Sequence, residues 1–454
     1  MINTILLATV AILPLFIFGY LLVNLQMTKS QLFEKVFLGF LISSGLITFF
    51  WFILNLLGVP YTIVSFLLLA WSFVLILLLI NIISKKLKLD NFNLKSKIIE
   101  AWKLPLWMKI IILILLAILG SVLIYNIYWP VKDWDSLVLY DYRAKIFVDT
   151  GFMIEGVARG YFFNYPLLTS LSHTWIYLTG ITNPMFYYFL LYLSFLIVFY
   201  YCLRRYVPRG LSLIGMLFLA VTPEVFQHSQ MSYTNLPYTI YLTLAFIYFY
   251  IWFNNKKMTT LVISSILLAL STWTRSSEPF WLVPIFLLII YSFWKRKPLP
   301  IVLYLAIFLP IQRIWNIFQT KMLGQQFSTS EMMKFSTSTI FNNISFDRMI
   351  EVFVYLYNNV FATWGILGII FIFIFIYKTL NRRKDITIFF LILTLLSACL
   401  LYISAYVFSF TQVDWKGIPD SARRMSIFFL PLIIFNIFLF IGDLGRSVKL
   451  GRNE

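Results

Sequence analysis

Charge is scarce in this sequence, and acid is scarcer still. Only 12% of the 454 residues are Asp, Glu, Lys or Arg, and 36 basic residues outnumber 18 acidic ones. A soluble domain carries roughly 25% charged residues, so this chain lacks the material for an ordinary water-facing surface. Cysteine is limited to Cys202 and Cys399, both in apolar runs. With no CxxC and no zinc spacing, they read as small buried hydrophobes. His173 and His228 are the only histidines, too few for a histidine-based metal centre. There is no internal repeat, no low-complexity tract and no long polar stretch to form a separate soluble domain. A net charge of +18 can signal nucleic-acid binding, but here the basic residues sit in short segments between apolar runs. No basic domain exists to carry the features of such proteins.

What the chain has is hydrophobicity: 61% of residues are apolar and 19% aromatic. Apolar runs of about 20 residues match a hydrocarbon core of ~30 Å. They do not alternate as the strands of a membrane barrel would. The expected fold is all-α, a polytopic transmembrane bundle of about 13 spans. The runs lie at 2–26, 36–57, 61–83, 110–129, 185–203, 211–221, 236–253, 260–273, 279–293, 301–317, 354–377, 386–408 and 425–441. The first is too long and too uncharged at its start for a cleaved signal, and it lacks an Ala-x-Ala site.

The basic segments set the orientation. Residues 84–109 hold seven lysines against Asp90 and Glu100, and Lys29, Lys35, Arg204, Arg205, Arg209, Lys256, Lys257, Lys295, Arg296, Lys297 and Arg382-Arg383-Lys384 all fall on the same side of the alternating spans. Basic loops stay cytoplasmic, so the N-terminus is expected outside and the C-terminus, with Arg446, Lys449 and Arg452, inside. Part of 84–109, around Trp102 and Trp107, suits an interfacial helix. It serves either as a topology anchor or as a patch for anionic lipid. Three regions follow: 1–109 with three spans and the basic loop, 110–300 as a core with a long external loop at 130–180, and 301–454 with external loops at 319–349 and 411–424.

That first external loop concentrates the acid. Asp133, Asp135, Asp141, Asp149 and Glu155 make up five of the 18 acidic residues. Asp133-Trp134-Asp135 opens a helix-like run, where an Asp serves as an N-cap or, against the rings of Trp129, Trp134 and Tyr140, as a partly desolvated base. On a helix from Ser136, the residues Leu137, Tyr140, Ala144 and Phe147 form an apolar face. Asp141, Lys145 and Asp149 line another at i, i+4 spacing, where solvated ion pairs are ordinary. Residues 166–178 reach only ~20 Å as a helix, too short to cross. Leu167, Leu168, Leu171, Trp175 and Leu178 share one face, and Thr169, Ser172, His173 and Ile176 the other. This predicts a juxtamembrane amphipathic helix lying in the interface, with Pro166 in its first turn and His173 as a satisfied, solvent-facing or acceptor-site residue.

Elsewhere, Arg275 and Glu278 flank Ser276-Ser277 at an outer tip. Arg275 pairs with Glu278 there, or meets a phosphate whose geometry its guanidinium matches. Arg423 and Arg424 precede the last span on the outer side, against the positive-inside pattern, which favours a specific anion. Glu224 and His228 stand at i, i+4 spacing as a proton relay, a metal pair or a hydrogen-bonded helix end.

Taken in order, these residues resemble the GT-C superfamily of integral-membrane glycosyltransferases, of the protein-mannosyltransferase and aminoarabinose-transferase type. The shared pattern is Asp135…Tyr140…Ala144…Gly151, then Tyr165-Pro166-Leu167-Leu168 opening a juxtamembrane helix. A tip follows at Thr222-Pro223…Ser229…Asn235-Leu236-Pro237, then Thr274-Arg275, then Arg423-Arg424. It is strongest over 110–293. Ser136 stands where the family often pairs Asp with Glu, a single proline precedes the surface helix, and Asn235 stands where Asp is common. Three spans precede the core, where the best-known members have one.

The resemblance implies a polyprenyl-phosphate sugar donor and a glycan, lipid or protein acceptor at the outer face. Asp135 is then the catalytic base of one inverting displacement. Arg275, Arg423 and Arg424 bind the donor phosphate, and Asp133, Tyr140, Tyr165, His173 and Glu278 line the acceptor and substrate loop. No cofactor is implied, with a divalent cation at Asp133 and Asp135 as the lesser alternative. The other readings are a lipid-linked glycan polymerase or ligase, a lipid or sugar flippase or transporter, and a non-catalytic membrane subunit. Asp135 at the outer surface speaks for a transferase, and Asp135 in mid-membrane for a transporter.

Overall fold

The computed structural model describes residues 2–27, 30–86, 103–157, 165–322, 345–380, 386–411 and 415–450. Most of the basic segment 84–109, Asn164, the greater part of the 319–349 loop, Arg382-Arg383-Lys384 and Arg452 lie outside the described residues. Among the described residues every regular element is helical and no strand occurs.

Among the described residues, ten helices are long and apolar enough to cross a membrane: Leu6–Gln26, Leu32–Leu56, Ile63–Ile83, Leu106–Tyr128, Phe186–Arg204, Asn235–Asn255, Leu299–Thr320, Phe346–Leu380, Thr387–Phe410 and Pro419–Leu444. Three shorter apolar helices, Arg209–Val221, Met258–Thr274 and Pro279–Lys295, occupy the other three runs expected to span. At 1.5 Å per residue, the 13-residue helix Arg209–Val221 reaches roughly 20 Å, short of a ~30 Å core. The chain is an all-helical, multi-pass membrane protein.

Two compact units form, one of residues 1–162 and 167–240, the other of 163–166 and 241–454. The first contains α1 (Ile2–Gln26), α2 (Leu32–Leu56), α3 (Ile63–Ile83), α4 (Leu106–Tyr128), α5 (Tyr142–Thr150), α6 (Met153–Val157), α7 (Leu168–Leu178), α8 (Phe186–Arg204), α9 (Arg209–Val221) and α10 (Pro223–His228). Gly19 of α1 and Gly39 of α2 meet backbone to backbone. A Cβ added at Gly19 would lie 2.1 Å from the Gly39 carbonyl carbon. Small residues permit this approach between membrane helices, and the Ser43 hydroxyl adds a hydrogen bond to the Leu15 carbonyl at 2.6 Å.

The two ends of α2 differ. Near its start, the buried Lys35 donates to Asn24 at 3.1 Å, Asn24 donates to Asn81 at 3.2 Å, and Arg205 pairs with Glu34 at 2.5 Å. At its far end, Asn55 donates to the Gly151 carbonyl at 3.0 Å and accepts from the Met153 amide at 3.1 Å. Twenty helical residues separate Lys35 from Asn55, about 30 Å of rise. The acidic loop is thus tied to the end of α2 remote from Lys35 and Arg205.

The second unit contains α12 (Met258–Thr274), α13 (Leu282–Lys295), α14 (Leu299–Ile317), α15 (Phe346–Leu356), α16 (Gly365–Leu380), α17 (Ile386–Thr411), α18 (Pro419–Met425) and α19 (Leu430–Leu450). Helix α11 (Asn235–Asn255) belongs to the first unit up to Ile240 and to the second from Tyr241. It is apolar all round and almost wholly buried, as expected of a central helix. Serines join its neighbours: Ser264 donates to the Ala245 carbonyl at 2.8 Å and Ser265 to the Tyr304 carbonyl at 2.7 Å. Lys378 and Asp443 pair at 2.6 Å between α16 and α19.

Candidate functional site

The acidic loop begins where α4 ends, at Trp129. The Asp133 carbonyl accepts from the Leu137 amide at 2.9 Å, starting a helical run that widens into a π-turn over Ser136–Asp141. A π-turn carries an extra residue per turn. The extra residue changes which side chains face inward. Tyr140 and Asp141 are both buried, at 3% and 1% exposure, while Leu137 is exposed. The regular α-helical phase expected from Ser136 placed Asp141 on a solvated face, and the structure corrects this. Its i, i+4 pairing with Lys145 does form, at 2.7 Å.

Asp141 is the hub of a closed network. Its Oδ1 accepts from His173 Nδ1 at 3.2 Å and from the Tyr177 hydroxyl, while Oδ2 faces Lys145. The other His173 ring nitrogen, Nε2, shares a hydrogen bond with the Tyr188 hydroxyl 3.0 Å away. Burial pushes the Asp141 carboxyl up, but His173, Lys145 and Tyr177 outweigh it and hold the carboxyl down at about 2. Burial and the Asp141 acceptor raise the Tyr177 phenol. Arg143 is buried too, donates from Nε to Ser170 Oγ at 3.1 Å and lies over the Tyr140 ring.

Helix α7 forms where an amphipathic helix is expected, but it starts two residues after Pro166 and is buried on both faces. Thr169, Ser172 and His173 turn toward protein, and His173 is completely buried. The solvent-facing and acceptor-site readings of His173 therefore fail, since both ring nitrogens are engaged inside the fold. The polar face of α7 exists to receive Asp141 and Arg143.

Asp133 and Asp135, earlier in the same run, are both half-buried. Asp135 has helical backbone and makes no side-chain cap hydrogen bond, so it is not the N-cap of the run. Trp134 is 76% exposed and Trp129 46%, so these rings turn outward and do not enclose the carboxylates as expected. Burial raises the Asp133 carboxyl, Lys132 opposes this, and the charge of Asp135 adds to it. The Tyr140 hydroxyl meets Thr234 Oγ1 at 3.1 Å, and Asn126 at the end of α4 donates to the Ser229 carbonyl at 2.9 Å. The acidic loop is thereby fastened to the 222–237 tip within the first unit. In that tip, His228 donates from Nδ1 to the Glu224 backbone carbonyl at 2.7 Å, a hydrogen-bonded helix end.

In the second unit, Arg275 pairs with Glu278 at 2.5 Å, and Ser277 donates to the other Glu278 oxygen at 2.9 Å. The guanidinium lies 5.0 Å from the Tyr165 ring centroid and 5.7 Å from that of Phe428. Phe428 closes the short turn after α18, which carries Arg423 and Arg424. Arg423 is exposed, and Arg424 is half-buried with NH2 on Ser421 Oγ at 3.2 Å. Tyr165, Arg275, Glu278 and the turn after Arg424 thus come together, although Tyr165 and Phe428 lie more than 250 residues apart in the sequence. Among the described residues, no three of His, Cys, Asp and Glu group so as to hold a metal ion.

Sequence reasoning missed Arg143, Tyr177 and Tyr188. Arg143 is visible as a cation two residues from Asp141, whereas no acidic residue lies near Tyr177 in the sequence. Tyr188 is one of many aromatic residues in a span, and only the fold singles it out. No protein-family model matches the chain, and no curated protein and no solved structure is similar to it.

Proposed function

We propose that the chain is a membrane glycosyltransferase of GT-C type, moving a sugar from a polyprenyl-phosphate donor to an acceptor hydroxyl or amine at the outer face of the membrane. Asp135 takes the acceptor proton. The acceptor oxygen or nitrogen then bonds to the anomeric carbon, the bond from that carbon to the phosphate oxygen breaks, and its electron pair leaves with the lipid phosphate. Arg275, Arg423 and Arg424 offer cations to a departing phosphate. Asp133, Tyr140, Tyr165 and Glu278 shape the acceptor side.

The observation that carries this reading is the gathering of scattered residues. In the second unit Tyr165, Arg275 and the turn after Arg424 meet around one guanidinium. In the first, the Asp135–Tyr140 run is bonded to the 222–237 tip. Asp135 also lies beyond the end of α4, outside any helix long enough to span. A transporter that works at mid-membrane would place its key carboxylate within a span. The full reading includes thirteen spans, with the three shorter helices crossing beside longer ones, the N-terminus outside and the acidic loop external.

The test is mass spectrometry of envelope glycans in cells lacking the chain, complemented with wild type or Asp135→Asn. Loss of the same sugar mass in the uncomplemented and Asp135→Asn cells, with the variant protein in the membrane, is the expected result. Full restoration by Asp135→Asn removes Asp135 as the base.

A further inference from the structure

The turns at the other end of α11 and α13 hold a second cluster that the proposed transfer does not use. A cavity of about 470 Å³ opens there within the second unit, lined by Trp252, Lys256, Tyr291, Arg296, Lys297 and Leu299 among others. Three of these six side chains are cations, and no carboxylate lines the cavity. Lys257 and Lys295 flank them in sequence. Among the described residues no acidic side chain pairs with Lys256, Arg296 or Lys297.

Concentrating like charge in this way opposes folding unless something offsets it. The rings are one part of the answer. Lys256 Nζ lies 3.8 Å from the Phe253 centroid, 4.4 Å from Tyr291 and 5.0 Å from Trp252, an aromatic cradle that favours a cation. The cradle does not cancel the charge. Burial and the neighbouring Lys295 bring the Lys256 ammonium down to about 8, so an anion beside it would raise it again.

The backbone adds an independent sign. Only three described non-glycine residues have positive φ, and two of them are Lys256 at 54° and Arg296 at 52°. Such conformations are costly for residues with a side chain. Glycine would fit both positions without strain, yet cations stand there. Met258 and Leu299, the first residues of α12 and α14, also line the cavity, so two helix amino ends, which favour anions, border it. Leu299 in the lining is 64% exposed, and Phe293 and Trp294, in the last turn of α13 just before Arg296, are 88% and 81% exposed. Exposed tryptophan and apolar side chains beside basic residues suit the boundary between headgroups and acyl chains.

We infer that Lys256, Arg296 and Lys297 form a binding site for the phosphate of an anionic membrane lipid, with the exposed Phe293, Trp294 and Leu299 against its acyl chains. The ligand chemistry is a phosphate ester, and the apolar rim selects the lipid-borne form over the soluble one. The site lies at the α11–α13 turns that the charge pattern assigns to the cytoplasmic side, so it is separate from the chemistry proposed for Asp135.

The experiment is lipid retention by the purified full chain in detergent, followed by native mass spectrometry with phosphatidylglycerol and phosphatidylcholine offered in equal amounts. Wild type is expected to retain phosphatidylglycerol in preference. A cation at a membrane surface contributes about fivefold toward an anionic lipid, so Lys256→Gln/Arg296→Gln/Lys297→Gln should lose the preference by tenfold or more. Lys256→Gly/Arg296→Gly tests the same point with a backbone that glycine relaxes, and it should also lose the preference while unfolding no earlier than wild type. A control that removes equal charge elsewhere, Arg204→Gln/Arg209→Gln/Arg313→Gln, should keep it. Equal loss in the control, or equal retention of both lipids by wild type, overturns the site. In a lipid-free arm, stabilisation of wild type but not of the triple variant by millimolar inorganic phosphate would assign the site to soluble phosphates and overturn the lipid reading.

Discussion

Asp135 and Asp141 sit six residues apart in one loop, after the same span, in the same run of helix. One is half-buried beside an outward-turned tryptophan. The other is sealed at 1% exposure, with His173, Lys145 and Tyr177 on its two oxygens. The difference arises from a single π-turn, which ends by directing Asp141 against α7. A carboxylate whose oxygens already accept several hydrogen bonds has little affinity left for a further proton, so it is a poor general base near neutral pH. Asp135 is only half-buried. The comparison gives Asp141 a structural part and leaves Asp135 as the carboxylate to which the proposed transfer assigns the proton.

The largest expected effect would break the comparison outright. Removing a general base costs about 10²- to 10⁴-fold in rate, so Asp135→Asn should abolish transfer in a membrane assay with a lipid-phosphate sugar, while its melting temperature stays near wild type. Asp133→Asn sharpens the assignment, because Asp133 is the neighbouring carboxyl that burial raises. If Asp133→Asn is inactive and Asp135→Asn active, the base is Asp133. Next in size is Asp141→Ala. Leaving the buried His173 ring nitrogen and the Tyr177 hydroxyl without their acceptor costs about 1–3 kcal/mol each, so this variant should unfold early in detergent or fail to accumulate. A fully stable Asp141→Ala that has lost only activity would reverse the two roles.

Much of this loop was legible in the sequence. The clustering of acid, the Asp141–Lys145 spacing and the short 166–178 helix all follow from residue type and period. The phase was not legible, because no residue type marks a π-turn, and one extra residue moved Asp141 from the expected solvated face to the interior. The mixed polar face of α7 fits a helix lying in the interface on residue type alone. In the structure those polar groups are the partners that Asp141 and Arg143 require, and a sequence cannot distinguish solvent from a buried partner. The Arg275–Glu278 pair was legible from its i, i+3 spacing, whereas its flanking by Tyr165 and Phe428 depends on contacts between remote segments. The ten long spans were plain from hydropathy, and the three shorter helices carry the same pattern over too few residues to fix a crossing.

Acid separates the two carboxylates by a smaller margin. Asp141 titrates at about 2 when folded, against roughly 3.9 in an unfolded chain. A lowered folded value means stability that is present above the unfolded pKa and lost as pH falls toward the folded one. The loss amounts to on the order of 2 kcal/mol. Melting temperatures of wild type in detergent should therefore fall between pH 5 and pH 2.5, and Asp141→Asn should show a shallower fall. Equal slopes would mean that Asp141 is not the group responsible.

The smallest effect tests how the sealed site is held. Gly151 ends α5 with φ of 73°, and its carbonyl accepts from both Asn55 and the Tyr61 amide, at 3.0 and 2.7 Å. An added Cβ would meet Pro60 Cβ at 3.3 Å. Gly151→Ala should cost about 1 kcal/mol from the backbone conformation alone, read as an earlier thermal transition. Because α5 starts immediately after Asp141, this strain loads the sealed network and not the half-open pair. Transfer per folded molecule should therefore stay near wild type. A fall in transfer larger than the fall in folded protein would mean that the α5 end also positions Asp135, and the two carboxylates would then have to be treated as one mechanical unit.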